Sequence, residues 1–262
     1  MRGLTVSFPQ GERRVPVVRD VSLTVGRGEI VGLVGESGSG KSMTALSVLR
    51  LVPPPGAIEA GRVLLDGVDL FTLPEREMRR VRGGRVAMVF QEPLTALNPV
   101  YTAGFQIAEV VRAHRKVSRR AARDEASRLL ELVALPDPRR RLDDYPHQLS
   151  GGQRQRVMIA MALAAGPSLL LADEPTTALD VTIQAQILEL LERLRGELGL
   201  SVLLITHDLA VVAETCDRVL VMQAGQIVEE AAVDDLFRAP AHPYTRLLLA
   251  AVPRLGAHEA RL

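Results

Sequence analysis

The chain alternates between short apolar runs and longer segments whose apolar residues recur with helical spacing. Runs of aliphatic and β-branched residues predict strands at residues 4–8, 29–34, 85–90, 169–172, 201–206 and 218–222. Helical patterns follow three of these runs, at residues 42–51, 181–198 and 209–215. Because strands and helices alternate, we expect an α/β fold with a mainly parallel sheet that is covered by helices on both faces.

The alternation is interrupted between residues 91 and 171. Two consecutive segments there, 102–116 and 118–135, have the spacing of amphipathic helices and predict an all-helical insertion into the α/β core. After the last predicted strand, residues 223–226 predict a hairpin turn and residues 233–262 predict a short helical tail.

Composition and charge exclude several classes of function. The chain has 262 residues and a formal net charge of +1, which argues against a nucleic-acid partner bound through a basic surface. Its single cysteine, Cys216, cannot form an intramolecular disulfide or a four-cysteine zinc site, and this usage suits a reducing cytosol. The charged residues 11–14 precede any long apolar run, so we expect no signal peptide. The most apolar stretch, 157–172, is too short to span a bilayer, so a role at a membrane would be that of a peripheral subunit.

A phosphate-binding loop follows the second predicted strand and opens a predicted helix, the context that a P-loop requires. It consists of Gly35, Glu36, Ser37, Gly38, Ser39, Gly40, Lys41 and Ser42. Glycines let backbone N–H groups converge on phosphates, and the helix amino terminus adds positive potential. We expect Lys41 to contact the β- and γ-phosphates of ATP and Ser42 to contact Mg²⁺.

Two carboxylates follow the apolar run at residues 169–172. We expect Asp173 to hold Mg²⁺ through water, and Glu174 to orient and deprotonate the water that attacks the γ-phosphate. The alternative, an acidic turn after a buried strand, would require neither role. The neighbouring P-loop favours the catalytic interpretation.

A second helix start carries features of a phosphate site. Ser150 and Gln153 form a capping-box pattern, and Gly151 and Gly152 lie between them. A well-capped helix with no further role would explain the first pair but not the two glycines, which weaken a helix start unless something approaches the backbone closely. One nucleotide has little need of two phosphate-binding helix starts from one chain. We therefore expect this one to bind ATP held by another subunit.

Two further polar residues end predicted strands, Gln91 and His207. Alone, His207 would be interpreted as a surface or capping residue, and Gln91 would indicate little. Together with Gly35, Asp173 and Glu174, they lie just past the carboxyl ends of predicted parallel strands, where open α/β sheets bind ligands.

The chain resembles the ATPases of ABC transporters over nearly its whole length. The resemblance rests on motifs that occur in this order: the P-loop, Gln91, the LSGGQ segment at residues 149–153, the acidic pair, residues 178–180 and His207. The resemblance implies a P-loop NTPase (RecA-like) core with a small β subdomain, formed by residues 1–92 and 160–232. It also implies a helical signature subdomain at 93–159, before the tail at 233–262.

The resemblance also implies roles for single residues. Gln91 corresponds to the glutamine that touches Mg²⁺ and senses the membrane partner, and His207 to the histidine near the γ-phosphate. Asp180 corresponds to an aspartate that crosses the dimer interface. Phe8 lies where the family has an aromatic that stacks on adenine, although the alternation of apolar residues from 4 to 8 also predicts a core face of a strand.

Residues 35–42, 90–109 and 242–246 are similar to the peptide and nickel importer ATPases. That resemblance implies a nucleotide-sandwich dimer with a second, sibling ATPase subunit, although a homodimer is physically possible. The pair would lie beneath two integral membrane permeases on the cytoplasmic face of the cell membrane and act indirectly with an extracytoplasmic solute-binding protein. The cargo stays open among dipeptides, oligopeptides, nickel and glutathione.

Two rival functions use related motifs. ABC-type ATPases of DNA repair or chromosome maintenance carry long coiled-coil or zinc-bearing insertions, and the sequence shows neither sustained heptads nor a cysteine cluster. A stand-alone P-loop kinase would not explain the second helix start. For the importer, we expect residues 92–101, with apolar Leu94, Leu97 and Tyr101, to contact the membrane subunits, the alternative being that these side chains pack inside the helical insertion.

Overall fold

The computed structural model describes residues 1–177 and 179–251. Its strands are β1 (Arg2–Gln10), β2 (Arg13–Val21), β3 (Ile30–Val34), β4 (Ala57–Arg62), β5 (Leu64–Leu65), β6 (Val68–Asp69), β7 (Val86–Val89), β8 (Leu169–Asp173), β9 (Ser201–Thr206), β10 (Arg218–Gln223) and β11 (Gln226–Ala232). Its α-helices are α1 (Lys41–Val48), α2 (Glu75–Val81), α3 (Pro93–Ala96), α4 (Ala103–His114), α5 (Arg119–Leu132), α6 (Pro138–Arg141), α7 (Gly151–Leu163), α8 (Val181–Leu198), α9 (Leu209–Thr215), α10 (Val233–Arg238) and α11 (Pro243–Ala251).

The main sheet has six strands in the order β11-β10-β3-β9-β8-β7. Its strands from β10 to β7 are parallel, and β11 joins the edge as the antiparallel arm of a hairpin. Every residue of β3 and of β9 is buried, as expected for central strands covered on both faces. The predicted α/β fold with a mainly parallel sheet is confirmed.

A smaller antiparallel sheet, β2-β1-β4, packs against this core. The predicted strand at residues 4–8 therefore belongs to β1 of the small sheet and not to the main sheet. Its apolar side chains, including Leu4 and Val6, are buried in one cluster with Val31 and Leu33 of β3. The two sheets thus share a single apolar core on this side of the molecule.

Helices α3 to α7 follow β7 and pack mainly on one another. Ile107 of α4 and Leu129 of α5 are buried in a cluster that continues through Ile159 of α7 to Leu170 of β8. Helix α4 comes close to the chain at Leu142 because Gly104 has no side chain there. The helices therefore sit firmly on the sheet, and the division into subdomains at residues 92/93 and 159/160 stays a prediction.

The structure corrects one expectation for the segment after Gln91. Leu97 is only 1% exposed and lies in the helical core, so its expected place on a docking surface is wrong. The backbone of Asn98 explains the inward turn, because its N–H donates to Gln106 Oε1 at 2.8 Å and its carbonyl accepts from Gln106 Nε2 at 3.0 Å. The side chain of Leu94 lies outside the described part, whereas Tyr101 is exposed.

The hairpin predicted at residues 223–226 is confirmed, since β10 and β11 meet there and both Ala224 and Gly225 have positive φ. Beyond β11, α10 and α11 pack against the sheet, and residues 252–262 of the predicted tail lie outside the described residues. Within residues 1–177 and 179–251, no helix combines the length and the apolar character needed to cross a bilayer.

Candidate nucleotide-binding site

The P-loop lies between the end of β3 and the start of α1, as the sequence predicts. Gly35 and Gly40 have φ values of 151° and 106°, which favour glycine. A Cβ on Gly35 would clash with the carbonyl oxygen of Met222, and one on Gly40 would lie 2.6 Å from the carbonyl oxygen of Val17. Both positions therefore need glycine for conformation and for space.

Lys41 begins α1, and its side chain is buried against the loop. Its Nζ donates to the carbonyl oxygen of Gly35 at 2.7 Å and to that of Glu36 at 2.9 Å. Burial lowers the pKa of Lys41, while the negative charges of Glu174 and Asp173 act to raise it. The loop thus holds a cationic group whose solvation is already reduced, which strengthens its attraction for an anionic ligand.

Ser42 and Asp173 face each other across the site. The Ser42 hydroxyl donates to Asp173 Oδ1 at 3.0 Å, which joins the first turn of α1 to the end of β8. Burial raises the pKa of the Asp173 carboxyl, and the charge of Glu174 raises it further, whereas Ser42 and Lys41 lower it. Hydroxyl and carboxylate oxygens are the donors that Mg²⁺ prefers, so the residues present fit this ion.

Glu174 has a left-handed backbone conformation, with φ 46°, and a side chain that is 15% exposed. Its Oε2 accepts from Gln91 Nε2 and from Thr177 Oγ1, both at 2.9 Å. His207 Nδ1 lies 3.3 Å from Oε1. Gln91, Glu174 and His207 follow β7, β8 and β9, which are neighbours in the sheet, so parallel strands bring the predicted residues together.

These groups line one cleft of about 760 Å³. Its lining residues are Phe8, Val17, Ser37, Gly38, Gly40, Lys41, Ser42, Met43, Gln91, Glu174, Thr177 and His207. Phe8 is half-buried, and its ring also packs against Gly56, so it faces the cleft and the small sheet's core at the same time. Adenine stacking on Phe8 stays a prediction.

The second helix start lies apart from this cleft. Ser150 Oγ accepts from the Gln153 N–H at 3.4 Å and Gln153 Oε1 accepts from the Ser150 N–H at 3.0 Å, so the predicted capping box is present. Gly152 packs against Ile183 of α8, where a Cβ would lie 2.6 Å from Cγ2. Among the described residues, neither the Ser150–Gln153 segment nor Asp180 contributes to the lining of the cleft. Asp180 instead caps α8, where its Oδ1 accepts from the Ile183 N–H at 2.9 Å.

Among the contributors to the site that were not predicted, Thr177 and Gly225 make specific hydrogen bonds. Thr177 holds the Glu174 carboxylate, and its only sequence signal is a hydroxyl three residues after the acidic pair. Gly225, in the turn between β10 and β11, donates its N–H to the Ser39 carbonyl at 2.9 Å and so supports the P-loop. That contact joins distant parts of the chain, and no local pattern indicates it.

Known proteins resemble the chain in sequence and in structure. The ABC transporter family profile matches residues 18–177, and the profile of the oligopeptide/dipeptide transporter C-terminal region matches residues 228–262. A probable peptide ABC transporter ATP-binding protein, y4tR of Sinorhizobium fredii, is 55% identical over 100% of this chain and 79% of that protein. The glutathione import ATP-binding protein GsiA of Pectobacterium atrosepticum is 56% identical over 98% of this chain, which spans 42% of that protein.

Among solved structures, the dimeric post-hydrolysis state of the ATP-binding cassette MJ0796, bound to ADP and Pi, has a TM-score of 0.78. The two sequences are 32% identical, and the match covers 88% of this chain and 97% of the cassette chain. Neither y4tR nor GsiA gives support to a DNA-repair role. The chain belongs to the ABC transporter family, as an ATPase subunit that uses ATP with Mg²⁺ and is related to the ATP-binding proteins of peptide and glutathione importers.

Proposed function

We propose that this chain powers the import of peptides by hydrolysing ATP at a site that a second ATPase subunit completes. One observation carries the proposal: the cleft around Lys41 and the helix start at Ser150 belong to the same chain but do not meet. A second subunit in head-to-tail orientation would place its own helix start over this chain's cleft. The dimeric state of the solved cassette structure supports pairing with a second subunit.

Within the cleft, the residues divide the work. Lys41 and the amide groups of the P-loop bind the phosphates, and Ser42 and Asp173 hold Mg²⁺. When bound, Mg²⁺ neutralises charge on the phosphate oxygens. Glu174 accepts a proton from water as the water oxygen bonds to the γ-phosphorus and the bond from that phosphorus to the ADP oxygen breaks.

Three side chains prepare Glu174 for this role. Gln91 and Thr177 hold one carboxylate oxygen, and His207 lies beside the other. Because the hydrogen bonds fix the carboxyl plane, the base needs little reorientation when water approaches. His207 is 59% exposed at its side chain and lines the cleft, so its ring is accessible to a phosphate bound there.

The start of α7 serves the partner's nucleotide. Ser150 and Gly151 are exposed, and the free N–H groups of the first helical turn carry the positive end of the helix dipole. Gly152 packs against Ile183 in the first turn of α8. The exposed Asp180, which caps α8 through the Ile183 N–H, is the residue that we assign to the same dimer interface. Both helix starts would therefore move together when the dimer forms.

Mixing one altered subunit with an unaltered partner ATPase tests this model. Ser150→Arg in this chain should block hydrolysis at the site built on the partner's P-loop, and it should leave ATP affinity at Lys41 within about threefold of wild type. The matched control is Ser118→Arg, because Ser118 also caps a helix of this region, accepting from the Ala121 N–H at 3.2 Å. Loss of ATP binding at this chain's own P-loop, with the partner's site unaffected, would refute the composite site.

We assign the membrane contact of the proposed importer to four exposed apolar side chains, Phe90, Val100, Tyr101 and Phe105, which together we call the docking surface. Tyr101 and Phe105 stack with ring centroids 4.7 Å apart. Phe90 also lines a groove of about 250 Å³, whose other walls are largely apolar side chains of β7, α3, α4 and α7. Exposed aromatic groups beside an apolar groove suit an integral membrane permease, which would place the chain on the cytoplasmic face of the membrane as a peripheral subunit.

The cargo and the assembly follow the named relatives. The name of y4tR refers to peptide transport and that of GsiA to glutathione import, and glutathione is itself a short peptide, so we assign short peptides to this importer. Two permeases, a sibling ATPase and an extracytoplasmic solute-binding protein complete the proposed assembly. Nickel, also open from the sequence, is not named by these relatives.

A further inference from the structure

The C-terminal helix reaches the P-loop through a single buried tyrosine. Tyr244, in the first turn of α11, is 6% exposed and packs in an apolar cluster with Val34 and Leu209. Its hydroxyl accepts a hydrogen bond from the Glu36 N–H at 3.1 Å. Burial raises the pKa of Tyr244, so the hydroxyl stays neutral and can accept this bond at physiological pH.

The peptide group that Tyr244 contacts is one of the two whose carbonyl oxygens hold Lys41. The Glu36 N–H and the Gly35 carbonyl belong to one planar peptide unit, and the Gly35 carbonyl accepts from Lys41 Nζ at 2.7 Å. Tyr244 and Lys41 therefore bind opposite edges of the same plane. Rotation of this plane would move the carbonyl away from the ammonium group and change the direction of the loop's first amide.

The hydroxyl is held in place by a clamp at the start of α11. Glu229 of β11 accepts from the Ala241 N–H at 2.7 Å and from the His242 N–H at 2.9 Å. His242 Nδ1 in turn accepts from the Tyr244 N–H at 3.1 Å. Because these bonds anchor the backbone before and at Tyr244, the ring can act as a fixed support for the P-loop rather than as a mobile contact.

We propose that Tyr244 is a positioning residue for ATP binding, which fixes the Gly35–Glu36 peptide and thereby keeps Lys41 and the loop amides aligned with the nucleotide phosphates. Apolar packing alone would be satisfied by phenylalanine, so the hydroxyl is the feature that the proposal explains. The inference rests on the proposed phosphate-binding role of Lys41.

Tyr244→Phe tests the hydroxyl without emptying the apolar site. In the complex with the partner ATPase, KM for ATP should rise by about threefold to tenfold, the range of one lost hydrogen bond. The value of kcat should stay within about twofold, because Lys41 holds the phosphates in ground and transition states alike. Equilibrium binding of a fluorescent ATP analogue to the isolated full chain should weaken by the same factor as KM rises.

The matched control is Tyr145→Phe, which removes the hydroxyl of an exposed tyrosine and should leave KM unchanged. A merely structural role of Tyr244 predicts a different split: a lower Tm and a smaller active fraction, hence lower apparent kcat, with KM unchanged. That result would overturn the proposal. A second variant, Glu229→Gln, loosens the clamp and should raise KM in the same direction by a smaller factor.

Lys41→Ala separates the two levels of inference. If that variant binds the ATP analogue as wild type does, the proposed site itself fails, and the role of Tyr244 fails with it. If Lys41→Ala loses binding while Tyr244→Phe matches wild type in KM and affinity, the nucleotide site stands and only the positioning role of Tyr244 is overturned.

Discussion

Replacing Glu174 with glutamine removes the proposed base while preserving its surroundings. The carbonyl oxygen of the new amide can take the position of Oε2 and keep the bonds from Gln91 and Thr177, both now 2.9 Å long. The amide nitrogen then faces His207 Nδ1, which a neutral imidazole can present as an acceptor. Because these bonds are kept, we expect the free energy of unfolding to change by less than the contribution of one hydrogen bond, about 1 kcal/mol.

The expected kinetic effect is large. General-base catalysis contributes about 10²–10⁴-fold to a rate, which corresponds to about 3–5 kcal/mol of transition-state stabilisation. The kcat of Glu174→Gln should therefore fall by at least about 100-fold. ATP affinity should hold or improve, because the lost negative charge acted on Lys41, the residue that binds the phosphates.

The assay combines single-turnover hydrolysis with size-exclusion chromatography in Mg-ATP. Slow hydrolysis with intact binding predicts that the variant accumulates as an ATP-stabilised dimer with its partner. Glu189→Gln is the matched control, since Glu189 is an exposed carboxylate of α8 outside the cleft. A Glu174→Gln variant that hydrolyses ATP at close to the wild-type rate would refute the assignment of the base.

Three further predictions use other parts of the molecule. Burial raises the pKa of the Cys216 thiol to about 12, so a thiol reagent at pH 8 should label the chain only after unfolding, and fast labelling of the native chain would contradict this. Tyr101→Cys should therefore be labelled selectively and should crosslink to a permease in the assembled transporter; failure to do so in an active complex would count against the docking surface. Gly104→Ala should destabilise the fold by about 1–3 kcal/mol in denaturant titration, because its Cβ would lie 2.7 Å from both Cδ2 and the carbonyl oxygen of Leu142. The control Gly196→Ala, which has open space around it, should stabilise the fold by up to about 1 kcal/mol. Equal effects of the two substitutions would show that packing at Gly104 is not tight.

The sequence predicts the centre of the sheet better than its margins. Strands β3 and β9 are buried on both faces, so their residues form the continuous apolar runs that a pattern search detects. Strand β2 carries arginines among its valines, and β4 is largely exposed along its length, so neither forms an apolar run. Their strand character comes from pairing with β1, a tertiary contact that local periodicity does not contain.

The same distinction applies to the site. Lys41, Glu174 and His207 lie in short motifs whose chemistry can be read from neighbouring residues, and the structure gathers them in one cleft. Tyr244 contacts a residue 208 positions earlier in the chain, so no local pattern predicts its place beside the P-loop. Leu97 shows the opposite error, because an apolar residue in a polar loop can equally mark a docking surface or a core, and only the fold decides.

The sheet order explains how a membrane contact can influence hydrolysis. Gln91 and Glu174 follow the adjacent strands β7 and β8, and one hydrogen bond joins their side chains. Along the chain, Val100, Tyr101 and Phe105 of the docking surface lie between Gln91 and helix α7, which begins after Ser150. We propose that a permease which displaces the segment after Gln91 changes the Gln91–Glu174 contact, the position of the Ser150 helix start, or both. Because the first contact orients the proposed base and the second completes the partner's site, the same movement would act on the two nucleotide sites of a dimer at once.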